Sequence, residues 1–199
     1  EEMKGLTNSA IRIGTFTSVS RTFLPRLMME FKKQYPEVRF ILQQGEYTSI
    51  AQWVRDGSVD FGFANAEAVP GLETSILYKD EMAAVLPKGH PLTGKQVISL
   101  KDLEQEPFIL LDEGEYSVPE QAFRRAGLHP KIEYKVYDDY SILAMVRQSL
   151  GVSAMYKRVL EGFVPLIRGI VFLDEISYID LFFPDAAFKS APLFKIFHL

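Results

Sequence analysis

Cysteine is absent from all 199 residues, which removes disulfides, thiolate metal sites and a thiol nucleophile at once. The gap suits a reducing compartment, although exported proteins without disulfides share it. Histidine is scarce. His90 and His129 each precede a proline, His198 is next to last, and no two are spaced as i and i+4, so neither a transition-metal site nor a histidine general base is expected. Lys and Arg never run beyond two, as at Lys32-Lys33, Arg124-Arg125 and Lys157-Arg158, and the net charge is −4. This stretch of chain therefore should not hold nucleic acid by neutralising phosphates. The longest apolar runs, such as Phe108 to Leu111 and Ile179 to Phe183, fall far short of the roughly 20 residues that span a bilayer. Glycines such as Gly14, Gly45, Gly57, Gly62 and Gly151 match neither GxGxxG nor GxxxxGK, and no GxSxG occurs, so no nucleotide cofactor and no serine-hydrolase elbow is expected.

What is present is the composition of a soluble globular protein, 47% hydrophobic and 24% charged. The length accommodates one large domain or two small ones. The opening residues, Glu1 to Gly5, are polar and acidic, so no signal peptide is expected, and a start without Met reads as a fragment or processed product.

Ile11 to Phe16 alternates as a strand. Thr17 to Ser20 reads as a polar connection into a helix whose Leu24, Leu27, Met28, Phe31 and Tyr35 form one apolar stripe closed by Pro36. Val38 to Gln43 is the next strand. Thr48 or Ser49 then caps a short helix ending at Asp56-Gly57, and Val59 to Asn65 is a third, largely apolar strand. Strands joined by helices imply parallel pairing, so the first 65 residues read as a βαβαβ unit. Leu72 to Tyr78 and Glu81 to Pro87 read as two short strands, followed by a turn at Gly89 to Leu92. The pattern then restarts: a short helix at Ser99 to Leu103, a strand at Pro107 to Leu111, a helix entered at Ser117 with capping-box spacing, a strand at Ile132 to Tyr137, a helix at Tyr140 to Leu150 and a strand at Val152 to Tyr156. Gly169 to Leu173 and Tyr178 to Phe183 read as strands, and Ser190 to His198 as a final helix. The predicted fold is α/β, with two Rossmann-like subdomains joined by two crossover segments: residues 11–87 and 170–199 in subdomain I, 88–169 in subdomain II.

Parallel sheets place ligands beyond the carboxyl ends of their strands. The candidate loops are therefore Thr15 to Ser18, Glu46 to Thr48, Ala64-Asn65, Glu113 to Ser117 and Asp138 to Ser141. Hydroxyls beside helix amino ends suit a carboxylate or other small anion, although each Ser or Thr alone is explained better as a helix cap, and only their joint placement favours a site. Asp112-Glu113 and Asp138-Asp139 are paired in sequence, but neighbours in a chain point apart, and no catalytic residue is assigned to them.

The order of motifs resembles the effector-binding domain of LysR-type transcriptional regulators. The matching residues are Gly5-Leu6, Ile11 to Gly14, Leu24-Pro25, Phe31, Tyr35 to Val38, Asp56 to Phe63, His90-Pro91-Leu92, Asp102-Leu103 and Leu150 to Ser153, spread over essentially the whole chain. The resemblance implies a type 2 periplasmic-binding-protein fold with a small-molecule effector in the cleft between the lobes. It also implies a winged helix-turn-helix preceding this chain, residues 1–10 being the end of the linker helix, so that DNA is a partner only through that missing domain. By position it implies ligand contacts from Thr15, Thr17, Ser18, Tyr47, Thr48 and Asn65 on the first lobe and from Tyr116, Ser117 and Asp138 on the second. Tyr47 stands where many members carry a small Ser or Thr. No catalytic residue, metal or cofactor is implied. A homodimer or homotetramer in the cytoplasm is, with Arg21 to Gln34 and Val38 to Gln43 as subunit surfaces. A transporter's solute-binding protein and a small-acid dehydratase on the same scaffold are the alternatives at this point.

Overall fold

A computed structural model describes residues 10–160 and the backbone of residues 161 and 170–183. The expected linker-helix stub and the expected helix at Ser190 to His198 lie outside the described residues. The chain divides into two compact units, one holding the chain up to Tyr78 and from Tyr178, the other Lys79–Ser177.

In the first unit, β1 (Ala10–Thr15) buries Ile11 and Ile13 and pairs parallel with β2 (Arg39–Gln44), from Ala10↔Arg39 to Thr15↔Gln44. Its other edge pairs parallel with β3 (Phe61–Ala64), in which every residue is buried. A strand covered on both faces needs this unbroken apolar run. The far side of β3 pairs antiparallel with β8 (Ile170–Phe183) through Gly62↔Phe182 and Ala64↔Asp180, giving the order β2-β1-β3-β8. Between β1 and β2 lie α1 (Thr17–Thr22) and α2 (Leu24–Gln34), and between β2 and β3 lies α3 (Tyr47–Arg55). Helix α3 packs so closely on β1 that a Cβ on Gly14 would stand 2.7 Å from Ile50 Cγ2. The Arg12 guanidinium ties β1 to the approach of β3, reaching Asp60 at 2.6 Å and the Gly57 carbonyl at 2.8 Å.

The second unit repeats the plan. Strand β5 (Pro107–Leu111) pairs parallel with β6 (Lys131–Val136), and β7 (Ser153–Tyr156) follows on its other side, where Ile109 donates to the Val152 carbonyl and Val152 to the Pro107 carbonyl, both at 2.8 Å. Strand β4 (Glu73–Val85) then pairs antiparallel with β7, from Met82↔Tyr156 to Val85↔Ser153. The succession β6-β5-β7-β4 thus mirrors β2-β1-β3-β8. Helices α4 (Leu100–Leu103), α5 (Val118–Arg125), α6 (Asp139–Arg147) and α7 (Lys157–Glu161) complete it, with Phe123 of α5 edge-on to Phe108 of β5 at 5.4 Å. Glycine is required at Gly151, where a Cβ would lie 2.4 Å from the Pro107 oxygen.

Several local expectations change. Thr17 to Ser20 is not a connection but helix α1, separated from α2 because Pro25 has no N–H to continue the ladder. Neither Thr48 nor Ser49 caps α3, whose cap position is held by Glu46, two residues before Thr48. The two short strands expected at Leu72 to Tyr78 and Glu81 to Pro87 are one strand, β4, and those expected at Gly169 to Leu173 and Tyr178 to Phe183 are likewise one, β8. In β4 the polar pair Lys79-Asp80 suggests a break, yet Asp80 is buried and its carboxylate accepts the Glu81 N–H at 2.9 Å, so the backbone stays extended. The chain passes from one unit to the other within these two strands. The subdomain limits expected at residues 87 and 170 fall near the end of β4 and at the start of β8.

Candidate functional site

The expected ligand residues of the first unit all lie at the carboxyl ends of β1, β2 and β3 or in the helical turns that follow. Register brings the ends of β1 and β2 level at Thr15↔Gln44, and Gly45 donates its N–H to the Thr15 carbonyl at 3.0 Å. Thr15 itself is fully buried, its hydroxyl 3.2 Å from that of Ser20. Phe16 occupies the N-cap of α1 and has no side chain to cap with, so the opening turn that carries Thr17 and Ser18 receives no side-chain cap. Among the described residues, neither the Thr17 nor the Ser18 hydroxyl takes a hydrogen bond, although Ser18 is only 9% exposed.

The Phe16 ring meets Tyr47 edge-on at 5.3 Å, which joins the first turn of α1 to the first turn of α3. Tyr47 is buried and Thr48 exposed. At the cap of α3 the Ser49 hydroxyl donates to the Glu46 carboxylate, and that bond holds the Glu46 carboxyl below its ordinary value. Asn65 is buried at the end of β3, where its Oδ1 accepts the Glu67 N–H at 3.0 Å and starts a turn of 3-10 helix.

In the second unit the corresponding positions follow β5 and β6. Ser117 is the N-cap of α5, accepting the Glu120 N–H at 3.4 Å, as its spacing predicts. Beside it the buried Glu113 carboxylate accepts the Val118 N–H at 3.1 Å. Tyr116 lies half-buried in the same loop. Asp138 caps α6, its two carboxylate oxygens accepting the Tyr140 and Ser141 N–H groups at 3.0 and 3.1 Å. Glu113 and Asp138 are thus engaged by backbone donors, the work of helix capping and not of proton transfer.

Of the four α-helices that follow β1, β2, β5 and β6, three, α3, α5 and α6, therefore carry one of the protein's own carboxylates at their amino ends. Of these four, α1 carries none, and its first turn contains no acidic residue. A bound anion would meet competition at three positions and none at the fourth.

Little in the sequence marks out Ser20 and Gln44, whose side chains bond each other at 2.8 Å at the exposed flank of this turn. Their signal is weak but present: Ser20 lies four residues after Phe16, the back-bonding distance in a helix, and Gln44 is the register partner of Thr15. Elsewhere, the His90 ring accepts the Leu92 N–H through Nδ1 at 3.3 Å and turns Nε2 toward Glu106 at 3.4 Å, a capping role. Among the described residues no group of acidic or histidine side chains is arranged to hold a metal, and no helix is long and apolar enough to cross a membrane.

A family model described as the LysR substrate binding domain matches residues 4–166. The uncharacterized HTH-type transcriptional regulator YvbU of Bacillus subtilis (strain 168) is 35% identical over 194 residues, covering 96% of this chain and 65% of its own. The transcriptional dual regulator GltC of the same organism is 29% identical over 153 residues, covering 73% and 50%. Among solved structures, HinK, a LysR family transcriptional regulator from Pseudomonas aeruginosa, superposes with a TM-score of 0.79 at 25% identity, covering 98% of this chain and 71% of that one. The effector binding domain of QuiR, solved with shikimate, gives a TM-score of 0.79 at 22% identity over 96% of this chain and 94% of its own, a likeness of fold. The chain spans 65% and 50% of the lengths of the two curated relatives.

Proposed function

Because the chain belongs to the LysR substrate-binding domain family, we propose that it is the sensing part of a transcriptional regulator, binding a small metabolite and passing that event to a DNA-reading domain elsewhere in the parent protein. Its fold is that of the LysR effector-binding domains, the type 2 periplasmic-binding-protein fold. The relatives it matches are transcriptional regulators, which disfavours both the solute-binding and the enzymatic alternatives. A regulator that reads DNA works in the cytoplasm.

The contacts proposed for the effector are Thr17, Ser18, Tyr47, Thr48 and Asn65 on the first unit and Tyr116, Ser117 and Asp138 on the second. Thr15, buried beneath Ser20, supports the first turn from behind. The observation that carries the reading is the opening turn of α1: two neighbouring hydroxyls and uncapped amides, with no carboxylate of the protein's own. An anionic group belongs there. Glu46, whose helix turn adjoins that of α1 through the Phe16–Tyr47 contact, would repel a second one and accept hydrogen bonds from neutral donors. The effector class is accordingly a small molecule with one carboxylate and several hydroxyl or amine donors. Shikimate, found with QuiR, has this pattern and is the first compound to try.

The effector acts by favouring one of two conformations. Coupling of this kind is typically worth about 1–3 kcal/mol, enough for a several-fold to hundredfold change in occupancy. A second copy of the chain is the proposed partner, seated on Met29 of α2 and on Ile41 and Leu42 of the edge strand β2. These side chains are 54%, 52% and 41% exposed.

A thermal-shift screen of hydroxylated monocarboxylates, dicarboxylates and neutral sugars tests the reading, since binding to the folded state raises Tm by mass action. Monocarboxylates should stabilise the chain, and Ser18→Ala and Thr48→Ala should each reduce the shift. A stabilising compound that acts equally on both variants would place the site elsewhere.

A further inference from the structure

We propose that Ser20, with Gln44, is a positioning residue for the effector turn: its hydroxyl is a hub that fixes where Thr17, Ser18 and Tyr47 stand. The inference rests on the site reading given under Proposed function and adds to it two residues outside that contact set.

The Ser20 hydroxyl has three neighbours within hydrogen-bond range. It donates to the Phe16 carbonyl at 3.0 Å, accepts from the Gln44 Nε2 at 2.8 Å and lies 3.2 Å from the Thr15 hydroxyl. A serine hydroxyl has one proton and two lone pairs. With the proton given to Phe16 and one lone pair taken by Gln44, the other lone pair faces the Thr15 hydroxyl, whose proton is shared between Ser20 at 3.2 Å and the Phe16 carbonyl at 3.4 Å, so the bonding positions of Ser20 are all taken up within the protein. Nothing is left with which to touch a ligand.

The three neighbours come from different elements. Thr15 ends β1, Gln44 ends β2, and Phe16 is the N-cap residue of α1. The same Phe16 carbonyl also accepts the Ser20 N–H at 3.0 Å, the first intrahelical bond of α1. The peptide plane that begins the helix is therefore held from two sides by one residue. The Phe16 side chain carries the constraint onward, because its ring rests edge-on against Tyr47 at 5.3 Å. Losing the hydroxyl removes one of the bonds on the Phe16 carbonyl and leaves the buried Thr15 hydroxyl only its longer bond to that carbonyl, at 3.4 Å, while the apolar core under β1 is untouched. The cost falls on the geometry of the turn.

Ser20→Thr and Ser20→Val make the test, since the two replacements share a branched shape and differ by the hydroxyl. In the chain without ligand, amide exchange at residues 20–23 should be about tenfold faster in Ser20→Val and within about twofold of the parent in Ser20→Thr, the size expected for one lost hydrogen bond. Amides of Ile13 and Phe63 in the sheet should exchange alike in both variants. Shikimate titrated by calorimetry gives the second readout: about tenfold weaker binding in Ser20→Val, with Ser20→Thr unchanged. Equal exchange at residues 20–23 in the two variants overturns the inference whether or not shikimate binds. If shikimate binds and Ser18→Ala weakens it while Ser20→Val does not, the hub fails and the site stands. If Thr17→Ala and Ser18→Ala both leave binding intact, the site reading itself fails.

Discussion

Replacing Gly151 by alanine should unfasten β7 from β5. A Cβ added at Gly151 would lie 2.4 Å from the Pro107 oxygen and 3.2 Å from Ile109 Cγ1, where ordinary contacts begin near 3.4 Å. The nearer obstacle is backbone and cannot rotate away. That oxygen also accepts the Val152 N–H at 2.8 Å, next to the bond from the Ile109 N–H to the Val152 carbonyl at 2.8 Å. Opening a gap for the methyl group strains or breaks both. Two bonds at about 0.5–1.5 kcal/mol each and about 1–3 kcal/mol of overpacking give a loss of about 2–6 kcal/mol. For a chain of this length each kilocalorie moves Tm by about 2–4 °C, so a fall of at least roughly 4 °C is expected by calorimetry or urea titration. Gly94→Ala is the control, because a Cβ there meets nothing within 4 Å. If Gly151→Ala and Gly94→Ala melt together, the close approach of β7 to β5 is not what requires glycine at position 151.

Asp102, in the capping box of α4, is held to about 2 by hydrogen bonds from Lys95 and the Ser99 backbone, so its contribution to stability is complete above 3.8 and disappears as pH falls from 3.8 towards 2. Asp102→Asn should cost about 1 kcal/mol at neutral pH, and its difference from the parent in urea midpoint should close over that window. Ser149 follows α6 with φ of 59°, a conformation that L side chains disfavour, so Ser149→Gly should raise stability by about 1 kcal/mol, and a lower Tm would contradict this. Ile41→Lys on the edge of β2 should shift sedimentation toward the monomer, whereas an unchanged sedimentation profile would remove β2 from the proposed subunit contact.

Periodicity made much of the fold legible. The alternation of Ile11 and Ile13, the apolar run from Phe61 to Ala64, and Pro107 to Leu111 all announce strands that the structure contains. The cap at Ser117 was readable because its spacing is chemically specific. The long strands were not. Lys79-Asp80 looks like a turn because sequence cannot show that Asp80 is buried with its carboxylate on the Glu81 amide. The start of α3 is hidden for a related reason: Thr48 and Ser49 are good caps by type, but Glu46 holds the cap position and Ser49 donates to it. In the candidate site, strand-end loops are visible from topology alone. Which hydroxyls are turned outward and which are consumed internally depends on registers such as Thr15↔Gln44, and those are settled by packing across the sheet.

The nesting of one unit within the other has a consequence for biosynthesis. The first unit is interrupted after Tyr78 and resumes at Tyr178, so β3 acquires its neighbour β8 only after everything in Lys79–Ser177 has been translated. A nascent chain leaving the ribosome carries β3 with one bare, apolar edge for all that time. The inserted unit, continuous in the message, has its own sheet strands by Tyr156 and can close before its host does.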